Sequence, residues 1–162
     1  MTHRLSLPET KDKIGIYEAL LPQVESLFQG EPDLIANMVN LVAVLKEAFQ
    51  HLWIGFYLVK NDELVLGPFQ GSLACTRIGF GKGVCGSSWK NMKTIIVPDV
   101  DKFPGHIACS SESKSEIVVP GIRKGRVSFV LDIDSHLLNT FDATDARYLG
   151  LLVDHLLKYS ES

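Results

Sequence analysis

The spacing of apolar residues in this chain changes at Leu52, and the change limits the folds that the chain can adopt. Before Leu52, apolar residues recur every three or four positions, as they do on one face of a helix. We therefore predict a helix over residues 10–28, which Pro22 should kink or interrupt, and a second helix from Asp33 to just before His51. From Leu52 onward, apolar residues alternate with others, which is typical of strands.

The second part of the chain is divided by short turns into six predicted strands. Residues 60–62 and 121–125 read as tight turns, and such hairpin connections indicate a mainly antiparallel sheet. A closing helix begins at Asp142, where Asp145 can complete a capping box. The pattern predicts an α+β domain with helices packed on both sides of the sheet. The predicted strands are 52–59, 63–69, 73–77, 94–98, 116–120 and 126–134, with a short helix over 84–92 after the third of them.

Composition and charge exclude several classes of protein. At 162 residues, 46% of them hydrophobic, the chain can bury one core without disulfides or metals to staple it. The net charge is −3 and the lysines and arginines are scattered, so we expect no nucleic-acid partner. No window approaches the roughly 18 apolar residues that span a bilayer, and the N-terminus has no apolar signal segment. We therefore expect a cytoplasmic protein that does not enter a membrane.

Three cysteines precede three carboxylates in the second half of the chain. Their odd number and the lack of a secretory signal argue against a permanent disulfide framework, so we expect reduced thiols at rest. A cysteine can attack an oxidised atom, a carboxylic acid can protonate the departing oxygen, and a second cysteine can close a disulfide. The third cysteine lies in a predicted long loop over 99–115, a kind of segment that is often functional. The residues are Cys75, Cys85, Cys109, Glu116, Asp132 and Asp134.

Two predicted strands offer an acidic face and an aromatic face. In the last strand, Asp132 and Asp134 point the same way because they are two residues apart. In the first strand, Trp53 and Tyr57 likewise share a face. An aromatic wall beside a carboxylate cluster suits a small cationic or zwitterionic ligand with an apolar tail.

Eight short runs of residues give the chain a resemblance to a known family. The runs are WIGFY at 53–57, FQG at 69–71, ACTRI at 74–78, FGKGVCG at 80–86, VPDV at 97–100, FPGHIAC at 103–109, SEIVVP at 115–120 and LDIDS at 131–135. Together they resemble the free methionine-(R)-sulfoxide reductases, which are GAF domains, over residues 17–157. The cysteines stand ten and twenty-four residues apart and Glu116 follows the last by seven, a set that an ordinary ligand-binding GAF domain does not show.

The resemblance implies one GAF-like catalytic domain over residues 1–162, with an N-terminal helix within 1–30 and the core within 31–159. Its six-stranded sheet is expected to be mainly antiparallel. The substrate would be free methionine-(R)-sulfoxide, and thioredoxin would be the reductant. The resemblance also implies a homodimer, and neither a metal nor a cofactor.

The same resemblance assigns roles to the thiols. Cys109 is the nucleophile, Cys75 is its main resolving partner, and Cys85 is a second thiol able to exchange. Backbone N–H groups of the loop that leads to Cys109 would stabilise the thiolate and bind the substrate carboxylate, which places Ile107 and Ala108 among the substrate-binding residues.

The resemblance also assigns roles to the acids and the aromatic residues. Glu116, Asp132 and Asp134 would hold the substrate ammonium and polarise or protonate the sulfoxide oxygen. Trp53 and Tyr57 would cradle the methyl end of the side chain.

An acid is required because the sulfoxide oxygen is a very poor leaving group unless it is protonated. Three carboxylates crowded in one pocket cannot all stay ionised, so at least one pKa should be raised enough to hold a proton near neutral pH. Glu116 and Asp134 are the candidates for this acid.

Two other functions fit parts of the pattern. Cys75, Cys85, His106 and Cys109 could form a zinc site, although the Cys-x-x-Cys spacing of many zinc sites is absent. A non-catalytic GAF module that senses a small ligand is the second alternative, and the sequence contains no output module to support it. Bound stoichiometric zinc would favour the first, and failure to reduce the sulfoxide would favour the second.

Overall fold

The computed structural model describes residues 4–160, which form four α-helices and one six-stranded sheet. The helices are α1 (Lys13–Phe28), α2 (Leu34–Phe49), α3 (Gly83–Asn91) and α4 (Ala143–Tyr159). The strands are β1 (Trp53–Lys60), β2 (Glu63–Gln70), β3 (Arg77–Gly79), β4 (Ile95–Val97), β5 (Ser115–Arg123) and β6 (Arg126–Ser135). The strand order is β3-β2-β1-β6-β5-β4 and all neighbouring strands are antiparallel, which confirms the predicted fold class.

The two faces of the sheet carry different layers. Helices α1, α2 and α4 pack on one face, where Ile54 and Phe56 of β1 are fully buried. Alternation along the same strand sends Trp53 and Tyr57 to the other face, which packs against α3. The helices therefore lie on both sides, and the face under α3 carries the aromatic and acidic residues.

Two tight hairpin turns set the register of the central strands. Asn61 and Asp62 between β1 and β2 both have positive φ, as do Lys124 and Gly125 between β5 and β6. Two-residue turns of this kind match the twist of antiparallel strands. The second turn is shorter than the predicted 121–125 turn because β5 continues to Arg123.

Helix α1 departs from its prediction in two ways. It begins at Lys13, after Asp12 caps it by accepting a hydrogen bond from the backbone of Gly15, and it continues past Pro22 without a break. Pro22 lies on the solvent side of the helix, where water can satisfy the backbone carbonyl that loses its partner. The buried face of this helix is formed by Tyr17, Leu20, Val24 and Phe28, whereas Ile14 is 43% exposed.

Strand β3 is shifted from its prediction. Residues 73–77 were expected to pair, but the strand is Arg77–Gly79, with Ile78 opposite Leu64 of β2. The physical reason is burial: Ile78 is 6% exposed, whereas Leu73 is 89% exposed and cannot anchor a strand. Residues 72–76 form a loop beside the sheet.

The predicted cap of α4 is confirmed, and it also joins α4 to α1. Asp142 accepts hydrogen bonds from the first turn, and the Asp145 carboxylate accepts one from the backbone N–H of Asp142. Asp145 is 2% exposed and also accepts bonds from Tyr17 and from Lys13. Within residues 4–160, no helix has the length and apolar character needed to cross a bilayer.

Candidate active site

Three carboxylates converge on the sheet face that α3 covers. Glu116 on β5 pairs directly with Asp134 on β6, and Asp134 pairs in turn with Trp53 on β1. Asp132 lies two residues from Asp134 and points to the same face. Glu116 and Asp132 are 5% and 6% exposed, so two acids are removed from water at the centre of a sheet.

Few hydrogen bonds compensate for this burial. The Ser113 hydroxyl donates to Asp134, and His106 Nε2 lies 3.4 Å from Glu116 Oε2. Asp132 Oδ1 is buried and has no hydrogen-bond partner among the described residues. An unpaired buried carboxylate oxygen is costly, and a ligand that donates a hydrogen bond to it would remove that cost.

The environment raises the pKa of all three acids, whereas crowding alone predicted a raised pKa for at least one of them. Burial, and then repulsion by Asp134, raises the pKa of Glu116 to about 8. Burial and repulsion by Glu116 raise the pKa of Asp132 well above its ordinary value. Burial raises the pKa of Asp134 only to about 6, because Ser113 and His106 favour its ionised form. At neutral pH, Glu116 therefore holds a proton, and Asp134 is mainly ionised.

Two of the predicted thiols are joined. Cys75 and Cys109 form a disulfide with their Cα atoms 5.6 Å apart, which corrects the expectation of reduced thiols at rest. The loop after β2 and the loop before β5 meet at the edge of the acidic face, and this contact between distant segments brings the sulfurs together. Cys109 lines the cavity that contains the three acids, whereas Cys75 lies just outside its lining.

The third thiol occupies a different position. Cys85, in the first turn of α3, is unbonded and 4% exposed. Burial, and then repulsion by Asp132 and Glu116, raises the pKa of this thiol well above its ordinary value, so it is neutral at physiological pH. It lines the same cavity as Cys109.

The disulfide removes two of the four ligands of the predicted zinc site. The predicted set needs Cys75 and Cys109 as thiolates, and both are bonded to each other here. In the part of the chain that the structure describes, the donor atoms close enough to share a metal ion belong to Cys85, Glu116 and Asp132, all within 4.8 Å of one another.

The predicted aromatic wall also supports the loop that carries Cys75. Trp53 Nε1 donates to the carbonyl of Ser72 at 3.1 Å, and the Tyr57 hydroxyl donates to the carbonyl of Cys75 at 3.0 Å. The two rings are stacked with centroids 6.0 Å apart, and both line the cavity. A Cβ at Gly55 would lie 2.5 Å from the Trp53 ring, so a glycine is needed where this ring crosses β1.

The loop before Cys109 contributes backbone donors. The N–H groups of His106 and Cys109 already donate to the carbonyls of Phe103 and Ile107. The N–H groups of Ile107 and Ala108 make no such hydrogen bond among the described residues. The Ile107 side chain lines the cavity, but the Ala108 side chain is exposed and does not, so any role of Ala108 belongs to its backbone.

Sequence reasoning missed two polar neighbours of the acids. Ser113 and His106 contact Asp134 and Glu116, and both side chains line the cavity. The sequence predicts a role for the His106 side chain only as a zinc ligand, and for its backbone only as part of the loop that stabilises the thiolate. Ser113 stands in a run of small polar residues with no periodicity. Both side chains contact acids on the strands β5 and β6, and a pattern of neighbouring residues in the loop cannot predict such a contact.

The raised pKa of Glu116 predicts how stability depends on pH. The ordinary pKa of 4.5 applies to the unfolded chain and about 8 to the folded one, so the folded state binds more protons between these values. Stability should therefore fall as pH rises from about 4.5 to 8. Glu116→Gln should be close to neutral at pH 5 and stabilising at pH 8.5, by about 2–4 °C in Tm for each kcal/mol gained.

Thermal unfolding of the two proteins at both pH values checks this prediction. Glu112→Gln is the matched control, since Glu112 is an exposed acid in the loop just before β5 and its removal should shift Tm equally little at both pH values. A wild-type Tm that rises between pH 5 and 8.5, with no gain from Glu116→Gln, would contradict the prediction.

Comparison with known proteins identifies the fold first. GAF domain-containing protein A of Dictyostelium discoideum is 60% identical over 134 residues, which cover 82% of this chain and 85% of that protein. No family model matches the chain. The α+β fold described above is that of a GAF domain.

Two further comparisons identify the family. The free methionine-R-sulfoxide reductase of Saccharomyces cerevisiae is 44% identical over 150 residues, which cover 87% of this chain and 83% of the yeast protein. The X-ray structure of the free methionine-R-sulfoxide reductase of Neisseria meningitidis in complex with its substrate is 55% identical, with a TM-score of 0.95 over 98% of this chain and 95% of that one. The chain belongs to the free methionine-R-sulfoxide reductase family.

Proposed function

We propose that this protein reduces free L-methionine-(R)-sulfoxide to L-methionine by thiol chemistry. The observation that carries the proposal is one cavity lined by Cys109 and by three carboxylates whose pKa values are all raised. A nucleophile and an acid are both needed to reduce a sulfoxide, and the cavity provides both. The names of the family's characterised members supply the substrate.

The cavity suits a free amino acid. Ionised Asp134 and the unpaired Oδ1 of Asp132 would accept hydrogen bonds from the substrate ammonium. The N–H groups of Ile107 and Ala108 would bind its carboxylate. A methionine within a polypeptide has neither charge and would leave these buried groups unpaired, which explains a preference for the free amino acid.

The chemical step uses an acid and a thiolate. Glu116, with a pKa of about 8, is protonated at neutral pH and would donate to the sulfoxide oxygen. The Cys109 thiolate would attack the substrate sulfur and form a sulfur–sulfur bond, while the S–O bond breaks and the protonated oxygen leaves as water. That water would then attack Cys109 Sγ and lose a proton, the sulfur–sulfur bond would break with its electron pair going to methionine, and Cys109 would become a sulfenic acid. Trp53 and Tyr57 would hold the methyl end against the sheet. The products are methionine and oxidised Cys109.

Turnover requires a second thiol and an external reductant. Cys75 would attack the Cys109 sulfenic acid, forming the disulfide and releasing water. Thioredoxin, with a potential near −270 mV, would then reduce the disulfide. Cys85 is unbonded in the structure, so we assign it the secondary role of an exchangeable thiol. We further propose that the active protein is a cytoplasmic homodimer.

A substrate panel tests the proposal. With dithiothreitol or a thioredoxin system as reductant, we expect methionine from the free (R)-sulfoxide, and rates lower by at least about 10²-fold for its N-acetyl derivative, which lacks the ammonium. The free (S)-sulfoxide should not be reduced. Binding of the free (R)-sulfoxide without any methionine formation, with either reductant, would favour the sensing module instead.

A further inference from the structure

One sulfur and two carboxylate oxygens meet in the cavity. They belong to Cys85 in the first turn of α3, Glu116 on β5 and Asp132 on β6. Their ligand atoms lie within 4.8 Å of one another, and all three side chains are buried. Three segments that are distant in the chain thus present possible metal ligands to one small volume.

One of these oxygens lacks a partner. Asp132 is only 6% exposed, its side chain lines the cavity, and its Oδ1 has no hydrogen-bond partner among the described residues. A buried carboxylate oxygen without a partner is costly, and its place in the cavity wall makes it available to a positively charged ligand. This oxygen points to a cation independently of the clustering of the three donors.

The charges that line the cavity also favour a cation. Three of the described residues in the lining carry a carboxyl group, and Lys82 alone among them carries a permanent positive charge. Asp134 contributes negative charge close to the three donors without being one of them. A bound dication would offset the repulsion between the crowded carboxylates.

The donor set fits Zn²⁺ better than Mg²⁺ or Ca²⁺. The latter two ions take six or more oxygen ligands, which three donors that include a sulfur do not supply. Zinc binds thiolate and carboxylate ligands in four-coordinate sites, and three protein ligands can leave the fourth position to water. Donors around a tetrahedral zinc ion are about 3.3–3.7 Å apart, so shifts of up to about 1 Å in each side chain would close the present spacing.

An outer partner for one of the ligands is already in place. His106 Nε2 lies 3.4 Å from Glu116 Oε2, and carboxylates that bind a metal are commonly held by such a hydrogen-bonding neighbour. Zinc displaces the protons that its ligands hold, so a neutral Cys85 thiol and a protonated Glu116 do not exclude the ion.

We propose that Cys85, Glu116 and Asp132 form a binding site for Zn²⁺ that is filled only when substrate is absent. The metal site is independent of the proposed function, but its competition with substrate rests on that function, because Glu116 and Asp132 are also assigned to the sulfoxide oxygen and the ammonium. The proposed chemical step requires no metal ion, so zinc at this site acts as an inhibitor that excludes the free sulfoxide.

Titration of the oxidised protein with zinc chloride tests the site. With the disulfide between Cys75 and Cys109 intact, Cys85 is the one unbonded thiol of the three cysteines in the chain. Competition with a coloured zinc chelator should show one ion bound per wild-type chain. Cys85→Ser and Asp132→Asn should each lower the affinity by at least about 10²-fold, since loss of an outer-shell partner alone costs about 10–100-fold.

Two further measurements separate this site from adventitious binding at the surface. Glu112→Gln removes an exposed carboxylate just before β5 and should bind zinc as the wild type does. Cobalt(II) chloride added to the wild type needs no substitution, and it should produce a thiolate-to-cobalt charge-transfer absorption that zinc abolishes. Absence of this absorption, or unchanged zinc affinity in both Cys85→Ser and Asp132→Asn, would overturn the site.

Addition of the free (R)-sulfoxide to the same titration tests the competition. At a sulfoxide concentration about ten times its own dissociation constant, the apparent dissociation constant for zinc should rise about tenfold. A zinc affinity that stays constant while the sulfoxide is bound would overturn the exclusion. Zinc bound at Cys85 in a protein that neither binds nor reduces the sulfoxide would support the metal site and refute the proposed function.

Discussion

Replacement of Cys109 by serine should reduce methionine formation to the rate seen without enzyme. A serine hydroxyl is a far weaker nucleophile than a cysteine thiolate, and its oxygen cannot take up the sulfoxide oxygen as a sulfenic acid. Methionine should be quantified by amino-acid analysis with dithiothreitol as reductant, so that loss of thioredoxin docking cannot explain the result.

Cys75→Ser is the matched control for this variant. Both substitutions remove the same 34-residue disulfide link, so both should lose similar stability, about 3–4 kcal/mol in the chain-entropy account. Only Cys75→Ser should still form methionine in its first turnover, because its nucleophile is intact. Steady turnover by Cys109→Ser at the wild-type rate would reassign the nucleophile, with Cys85 as the next candidate.

Replacement of Glu116 by glutamine should slow the chemical step by about 10²-fold or more, the range expected for loss of a general acid. Asp134→Asn should produce a similar loss, since Asp134 is the acid mainly ionised at neutral pH and is assigned to the substrate ammonium. Wild-type kcat/KM should fall as pH rises through about 8, where Glu116 loses its proton. This alkaline fall should be absent in Glu116→Gln.

The kinetic control is again Glu112→Gln, which removes an exposed carboxylate from the loop just before β5 and should leave the pH profile unchanged. Single-turnover rates measured from pH 6 to 9.5 separate the chemical step from reduction of the disulfide. A Glu116→Gln variant with the wild-type rate and the wild-type pH profile would show that Glu116 only binds substrate.

Much of the fold follows from local patterns in the sequence. Apolar periodicity located α2 to within one residue of its ends, and a single capping box located the start of α4. Strand alternation correctly predicts that Asp132 and Asp134 share one face of β6 and that Trp53 and Tyr57 share one face of β1. In the structure these two faces lie on the same side of the sheet. These features depend on residues close together in the chain.

The remaining features depend on contacts between distant segments. The pairing of Glu116 with Asp134, and of Asp134 with Trp53, is set by strand register, which no single strand encodes. Leu73 was assigned to a strand because apolar residues in sequence normally indicate burial, and here the leucine is exposed beside the disulfide. The role of His106 beside Glu116 likewise appears only when the loop is folded onto the sheet.

The pairing of the thiols could not be derived from their spacing alone. Cys75 and Cys85 are closer to each other in sequence than either is to Cys109, yet the structure joins Cys75 to Cys109 and buries Cys85 on the inner side of α3. Burial against two acids keeps Cys85 protonated, which removes it from the first exchange. The same acids that would activate the substrate thus also discriminate between the two thiols.

The most direct measurement is one turnover of the fully reduced protein with one equivalent of free methionine-(R)-sulfoxide and no external reductant. After alkylation of free thiols, peptide mass spectrometry and amino-acid analysis should find one methionine per chain, Cys75 linked to Cys109, and Cys85 alkylated. If methionine is formed while Cys109 is recovered alkylated, or if none is formed at all, the account is contradicted.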